Sequence, residues 1–169
     1  MTDIINFNIP KIRREDTKDN LRSVPVNGRD AKDVLDITQR SYLVRNYQHS
    51  LDVESVQLVE NKTLEDSYRT KKAEMKEDGR HSRELIDQYA YLMHKDGKIA
   101  QKIAQDGLKT RELSFNSLGN SKLGVYVCKH ADVQLQLFDT WNHDVGHLMV
   151  FKVRFNYNCL IHGIKIGVI

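Results

Sequence analysis

Two histidines, His143 and His147, stand four residues apart, a spacing that would place both imidazoles on one face of a helix, as in zinc hydrolases. The residues between them argue against that helix. Val145 and Gly146 are weak helix formers, and Asp144 stands where the zinc motif has a glutamate. A zinc site also needs a third protein ligand, and none is evident in the sequence. The pattern therefore predicts a polar loop and no metal site.

A second pair, Cys128 and His130, is separated by one residue, so the two side chains would share one face of a strand. A reactive thiol requires an accessible and electropositive surrounding. Both cysteines of the chain, Cys128 and Cys159, lie in apolar sequence, and we interpret Cys128 as a buried core residue. Two cysteines are too few for a disulfide framework and are typical of reduced residues in an intracellular protein.

Basic residues in or beside predicted loops could contact a phosphate backbone with salt-dependent affinity. The net charge does not demand such a surface, because 26 Lys and Arg against 23 Asp and Glu leave only +3. No apolar run reaches the length of about 18 residues that predicts a membrane span, and Met1–Arg14 lacks the apolar core of a signal peptide. A nucleic-acid or partner contact remains a hypothesis for five residues: Lys109, Arg111, Lys122, Lys129 and His130.

Apolar periodicity and capping residues predict the elements that would position these side chains. Four helices are expected: one opened by Asp30 as N-cap, one from a Thr63–Asp66 capping box to Gly79, one capped by Asp96 and closed by Gly107, and a short one over Asp132–Phe138. Four strands are expected: Val53–Val59, Tyr89–Met93, Val125–Cys128 and Leu148–Val153.

The same reading predicts how the chain is divided. Residues 1–29 are expected to be a flexible lead-in arm, 30–155 a folded domain, and 156–169 a divergent or truncated tail. The tail is apolar up to Ile169 and shows no turn, cap or polar end, which would leave an exposed strand edge without a partner.

Several short segments carry further information through their shared order and spacing. They are Met75-Lys76-Glu77-Asp78-Gly79-Arg80, Gly107-Leu108, Leu118-Gly119-Asn120, Gly124-Val125-Tyr126 and Val150-Phe151-Lys152-Val153. Together they resemble the pseudo-PARP (poly(ADP-ribose) polymerase-like) domain of the transgene activation suppressor (TASOR) family, over about residues 30–155. Within that family a testis-expressed member is most similar, at Pro10–Arg14, at Gly79-Arg80-His81 and at His130–Val133.

The resemblance implies an α+β fold of the ADP-ribosyltransferase (PARP)-like type. That fold has a split mixed sheet with flanking helices, and the family's C-terminal strands would be missing from this chain. The resemblance also implies a domain without catalysis and without a cofactor. Family members act in nuclear epigenetic silencing. The testis-expressed member is linked to transposon silencing through the Piwi-piRNA pathway and to meiotic recombination in male germ cells.

Active PARPs also provide a test of the site, residue by residue. They use a histidine that binds the nicotinamide ribose, a tyrosine that stacks on the nicotinamide ring, and a glutamate that stabilises the positively charged transition state. The resemblance assigns the first two roles to His94 and Tyr126. Lys95 stands where active enzymes have a glycine whose backbone meets the nicotinamide amide, and a side chain there would crowd the approach. A second stacking tyrosine falls at Leu137 and an amide-binding serine falls near Gln134, while no strand bearing the glutamate is recognisable.

The sequence and the resemblance together predict a non-catalytic interaction module, with nucleic acid as a candidate partner. The resemblance further implies silencing-complex or Piwi-type proteins as partners and the nucleus, with the cytoplasm second, as its location. In this interpretation His94 and Tyr126 are vestigial. The alternative is a mono-ADP-ribosyltransferase that uses NAD through those two residues.

Overall fold

A five-stranded antiparallel sheet organises the fold, with the spatial order β1-β2-β5-β4-β3. The computed structural model describes residues 20–44, 53–108, 127–140, 146–153 and 167–168. Its strands are β1 (Leu21–Val24), β2 (Val56–Val59), β3 (Gln88–His94), β4 (His147–Val153) and β5 (Gly167–Val168). No parallel pair occurs among these described strands.

Within these ranges, four helices connect the strands: α1 (Arg29–Arg40), α2 (Lys62–Glu77), α3 (Gly97–Asp106) and α4 (Ala131–Thr140). α1 lies between β1 and β2 in the chain, α2 between β2 and β3, and α3 and α4 between β3 and β4. Helices and antiparallel strands together confirm the predicted α+β class.

β3 and β4 lie at one end of the sheet, carry many of its buried side chains and pair along their whole length, from Gln88 opposite Val153 to His94 opposite His147. Because side chains alternate along a strand, β3 supplies two separate cores. Ala90 and Leu92 pack on one face with Ile103 of α3, whereas Tyr91 packs on the other face with Ala131 of α4. Helices thus cover both faces of this strand pair, which explains why its sequence is apolar without alternation.

A buried asparagine, Asn61, joins two helices that are far apart in the chain. Its Oδ1 accepts a hydrogen bond from Leu64 N at 3.1 Å and caps the start of α2. Its Nδ2 donates to Ala104 O at 3.0 Å and to Gln105 O at 2.8 Å, two carbonyls at the end of α3. One side chain therefore satisfies backbone groups at both helix ends.

Several predicted helix boundaries are confirmed by the structure. Gly79 and Gly107 follow α2 and α3 with φ angles of 72° and 80°, a left-handed region that glycine adopts without strain. Asp96 caps α3 through a bond from Lys98 N to Oδ1 of 2.9 Å. The strands predicted over Tyr89–Met93 and Leu148–Val153 each extend by one or two residues.

Two predicted caps are wrong. The N-cap of α1 is Gly28, and Asp30 lies inside the first turn, where its carboxylate binds Arg22 at 3.3 Å. The cap of α2 is Asn61 and not the Thr63 box. At both helix starts a side chain bonds a group outside its helix: Asp30 bonds Arg22, and Asn61 also bonds the end of α3.

Two short strands lie in segments predicted to be outside the sheet. The sequence predicts residues 1–29 as a flexible arm, yet Leu21–Val24 form β1 against β2, and Arg22 bonds Glu60 of the same edge at 2.6 Å. The predicted tail 156–169 contains β5, which pairs with both β2 and β4, so the expectation of an unpartnered strand is wrong there. The predicted strand Val125–Cys128 is described only from residue 127 onward, where Cys128 makes an isolated antiparallel bridge with Tyr91.

We expect Asn61→Ala to lower the free energy of unfolding by about 2 kcal/mol, because it removes an N-cap and leaves two helix-end carbonyls without their donor. Thr63→Ala, at the predicted but unused cap, should change it by less than about 0.5 kcal/mol. Urea unfolding of both variants measures the difference. Equal effects of the two substitutions would contradict the role given to Asn61.

Candidate functional site

The open end of the β3–β4 pair brings two histidines together. His94 and His147 are register partners on adjacent strands, and both are partly buried. α3 begins directly behind them: a Cβ built at Gly97 would lie only 2.9 Å from His147 Nε2. Residue 97 therefore has to lack a side chain for the His147 ring to take this position, which the sequence does not reveal.

The His94 ring is tied to the backbone at the start of α3. Its Nδ1 accepts a hydrogen bond from Asp96 N at 2.8 Å, and Asp96 O lies 3.3 Å from the same nitrogen. Burial lowers the pKa of His94 below its ordinary value, and the nearby Lys95 and His147 act in the same direction, against an opposing effect of Asp96. Burial thus favours the neutral imidazole, and the backbone of its own chain orients the ring.

Gln134 lies against β3 beside His94, and only 4% of its surface is exposed. Its Oε1 accepts a hydrogen bond from Met93 N at 2.9 Å, and its Nε2 donates to Cys128 Sγ at 2.9 Å. The carboxamide therefore links α4 to the edge of β3 that faces away from β4. The sequence considered alone marks Gln134 only as the position near which active enzymes have an amide-binding serine. A further signal was present, because Gln134 is a polar residue among the apolar positions of a short helix.

Cys128 and His130 do not form a reactive pair. The backbone of Cys128 bonds Tyr91 in both directions, at 2.7 and 2.9 Å, and its thiol takes the Gln134 bond. His130 Nδ1 lies 2.6 Å from Ser41 O. Cys128 is partly exposed, so the prediction of a buried core cysteine is wrong; the residue sits at a sheet edge, not inside the core.

The start of α4 is fixed by a buried carboxylate. Asp132 is 1% exposed, and its Oδ2 accepts hydrogen bonds from Leu43 N at 2.9 Å and Val44 N at 3.0 Å, while Oδ1 accepts one from Val133 N at 3.1 Å. Ser41 Oγ in turn accepts a bond from Ala131 N at 3.0 Å. The turn after α1 and the first turn of α4 therefore form one hydrogen-bonded unit.

Tyr91 connects the same unit to the sheet. The sequence predicts it as part of a strand but indicates no role for its hydroxyl. Its ring is fully buried, and its hydroxyl donates to Ile37 O of α1 at 3.1 Å. Burial raises the pKa of Tyr91 to about 12. A phenol held neutral in this way serves as a structural hydrogen-bond donor.

The other predicted site residues fall into two groups. Lys129 is exposed, as a phosphate-contacting residue would need to be, whereas His130 is partly buried against Ser41. Tyr126, Lys109, Arg111, Lys122 and His143 lie outside the described residues, and so does Cys159.

The ranges that the structure describes contain no group of three or more His, Cys, Asp or Glu side chains that could hold a metal ion. Nor does any helix in them have the length and apolar character that crossing a membrane requires.

The pKa of His94 predicts a pH dependence of stability. The native state resists protonation of His94 more than the unfolded chain does, whose histidine has an ordinary pKa of 6.5. Above pH 6.5 His94 is neutral in both states and does not reduce the free energy of unfolding. As the pH falls below 6.5 the unfolded chain binds the proton more readily, so the free energy of unfolding decreases. Urea unfolding between pH 5 and 8 should show a shallower decline for His94→Gln than for the unaltered chain.

The exposed His81 provides the control, because His81→Gln should keep the full decline. If His94→Gln and His81→Gln gave the same pH profile, His94 would not be held neutral by the fold.

Comparison with known proteins identifies the family. A family model described as "Protein of unknown function (DUF3715)" matches residues 74–157. The chain is 32% identical to mouse (Mus musculus) Protein TASOR over 148 residues, and 32% identical to the human (Homo sapiens) protein over 149; each match covers 88% of this chain and 9% of the relative. The chain thus corresponds to about a tenth of the length of these relatives.

A solved structure agrees with the sequence matches. The crystal structure of the TASOR pseudo-PARP domain superposes with a TM-score of 0.66 at 27% sequence identity, covering 79% of this chain and 63% of that one. The predicted ADP-ribosyltransferase-like fold is thereby confirmed. With its order of strands and helices and its similarity to Protein TASOR along most of its length, the chain belongs to the TASOR family and has the fold of the pseudo-PARP domain.

Proposed function

We propose that this chain is a non-catalytic PARP-like interaction module that serves epigenetic silencing and neither binds nor consumes NAD. The observation that carries the proposal is the carboxamide of Gln134, bonded to the backbone of β3 one residue before His94. A backbone donor of the strand beside His94 is thus already bonded to the protein's own carboxamide.

The surroundings of His94 support the same conclusion. Active enzymes of the resembling fold have a glycine next to this histidine, whereas the chain has the exposed Lys95. The His94 ring is bonded to the start of α3 at Asp96 N, so its orientation serves the local backbone. A catalytic site requires hydrogen-bond donors that point at the transition state. Here the donors Met93 N and Asp96 N instead bond the side chains of Gln134 and His94.

The cellular role is proposed from the family. Relatives named Protein TASOR, a transgene activation suppressor, support a role in nuclear silencing. Similarity to a testis-expressed member, in part through the Gly79–His81 and His130–Val133 segments, supports transposon silencing with Piwi-type partners and a role in meiotic recombination in male germ cells. The nucleus, and secondarily the cytoplasm, would be the location of such a module.

Calorimetric titration of the folded chain with NAD tests the central claim. We expect no saturable heat and no rise in melting temperature at millimolar NAD, because a ligand that binds the native state must stabilise it. Saturable binding with release of nicotinamide and covalent transfer of the ADP-ribose to a protein acceptor, lost in His94→Ala and retained in His81→Ala, would instead establish the mono-ADP-ribosyltransferase. His81 is the matched control because it is exposed and lies on a separate turn.

Nucleic-acid binding is the surface function proposed for the basic loops. Since Lys129 is exposed, Lys129→Glu should weaken binding to a single-stranded RNA and reduce the slope of log affinity against log salt by roughly 0.7 for each lost phosphate contact. Lys62→Glu, an exposed lysine at the start of α2, is the charge-matched control. An unchanged slope in Lys129→Glu, and in a variant that also reverses Lys109, Arg111 and Lys122, would remove nucleic acid from the proposal.

A further inference from the structure

The two edges of the sheet are finished in different ways. β3 lies at one edge, and there the backbone of Cys128 bonds Tyr91 in both directions. β1 lies at the other edge, and none of the described strands pairs with its outer side. Such an edge carries N–H and C=O groups that can pair with another strand.

The pairing of β1 with β2 shows which backbone groups face outward. Glu60 N donates to Asn20 O at 2.8 Å, so these two opposite residues form a hydrogen-bonded pair. Hydrogen-bonded pairs alternate along an antiparallel ladder, and Arg22 is therefore the next residue of β1 that bonds β2. The N–H and C=O groups of Leu21 and Ser23 consequently point away from β2.

The usual protections of an edge strand do not lie on β1. A proline within the strand, or a charged side chain that is free to block the edge, normally prevents further pairing. Pro25 follows β1 and does not interrupt it. The guanidinium of Arg22 is bonded within its own molecule, to Glu60 Oε1 at 2.6 Å and to Asp30 Oδ2 at 3.3 Å. β1 therefore offers two donors and two acceptors to a further strand.

The side chains around β1 indicate what that further strand would carry. On one face of the sheet the half-buried Leu21 packs against the core that contains Val59. On the other face Arg22 lies between two partly exposed carboxylates, those of Asp30 and Glu60, which leaves one negative charge in excess. Because side chains alternate along a strand, the complementary strand has apolar residues beside Leu21 and basic residues beside the carboxylates.

We propose that β1 is a docking edge for an extended segment of a partner protein in which basic residues alternate with apolar ones. The segment adds a strand to the sheet, so that main-chain hydrogen bonds provide affinity and the alternating side chains provide specificity. The inference rests on the proposed function of an interaction module and names the kind of partner that the module takes.

A second copy of this chain fits the edge less well. Two antiparallel β1 strands use all their outward groups only when Leu21 lies opposite Ser23 of the other copy. That register places Arg22 opposite Arg22, and like charges directly opposite each other destabilise a sheet.

Titration of the full chain with an acetylated hexapeptide of alternating lysine and valine tests the inference. Binding should shift the amide resonances of Leu21 and Ser23 in a saturable way. Ser23→Pro removes one outward donor, and proline is tolerated on an edge strand where the N–H faces solvent. The variant should therefore fold and bind the peptide about ten times more weakly, the effect of one lost hydrogen bond.

Peptide controls keep the test independent of the folding of any variant. The same hexapeptide with an N-methyl group on every residue cannot donate to β1 and should not bind the unaltered chain. A hexapeptide of alternating glutamate and valine should bind roughly threefold more weakly than the lysine peptide, because a partly exposed charge pair contributes little. Glu60→Gln should remove that difference, whereas Glu77→Gln, an exposed residue at the end of α2, should keep it.

The outcomes separate the possible occupants of the edge. Binding without shifts at Leu21 and Ser23, no binding at all, or equal binding of the lysine and glutamate peptides overturns the inference. If the unaltered chain sediments as a dimer that Ser23→Pro dissociates, the occupant is a second copy and the inference is wrong. NAD binding would defeat the proposed function and leave the peptide result unchanged, and failure of the peptide would leave the absence of NAD binding unchanged.

Discussion

The carboxylate of Asp132 is the constraint on which the arrangement around the site depends. It is buried, and three backbone N–H groups neutralise its desolvation cost, two from the turn after α1 and one from α4 itself. A charged acceptor in this position fixes both the start of α4 and the path of the chain leaving α1. Since α4 carries Gln134 just two residues later, this carboxylate helps to position the contact between Gln134 and Met93, together with the bond from Ala131 N to Ser41 Oγ.

The domain keeps the frame of the pseudo-PARP fold through contacts that are separate from its polar groups near His94. The β3–β4 pair and the helices on both of its faces hold the core together through apolar contacts, which are indifferent to catalysis. The polar groups that remain near His94 bond to one another and to the backbone. These hydrogen bonds stabilise the positions of the helices. A group that is bonded in this way is not available to a substrate, so stability and catalysis would require different arrangements of the same few residues.

Sequence reasoning succeeded where the physical cause is local. The left-handed glycines Gly79 and Gly107, the Asp96 cap and the apolar runs of β3 and β4 are each decided by residues within one or two turns of chain. The side chains that matter most were missed or misread because their partners are remote. Asn61 bonds a residue 43 positions away, Gln134 one 41 away and Asp132 one 88 away, and no local pattern encodes such distances.

The two-residue strand β5 has a consequence for how this sheet assembles. It joins β1–β2 to β4–β3 by pairing Val168 with both Gln57 and Met149, and the pairing with β2 closes a very long stretch of chain. The conformational entropy lost in closing a loop of roughly 110 residues is worth about 4 kcal/mol, which so short a strand offsets only when both neighbours are already in place. β5 is therefore the junction between the two flanking strand pairs, and we expect this junction to form last during folding and to open first on heating.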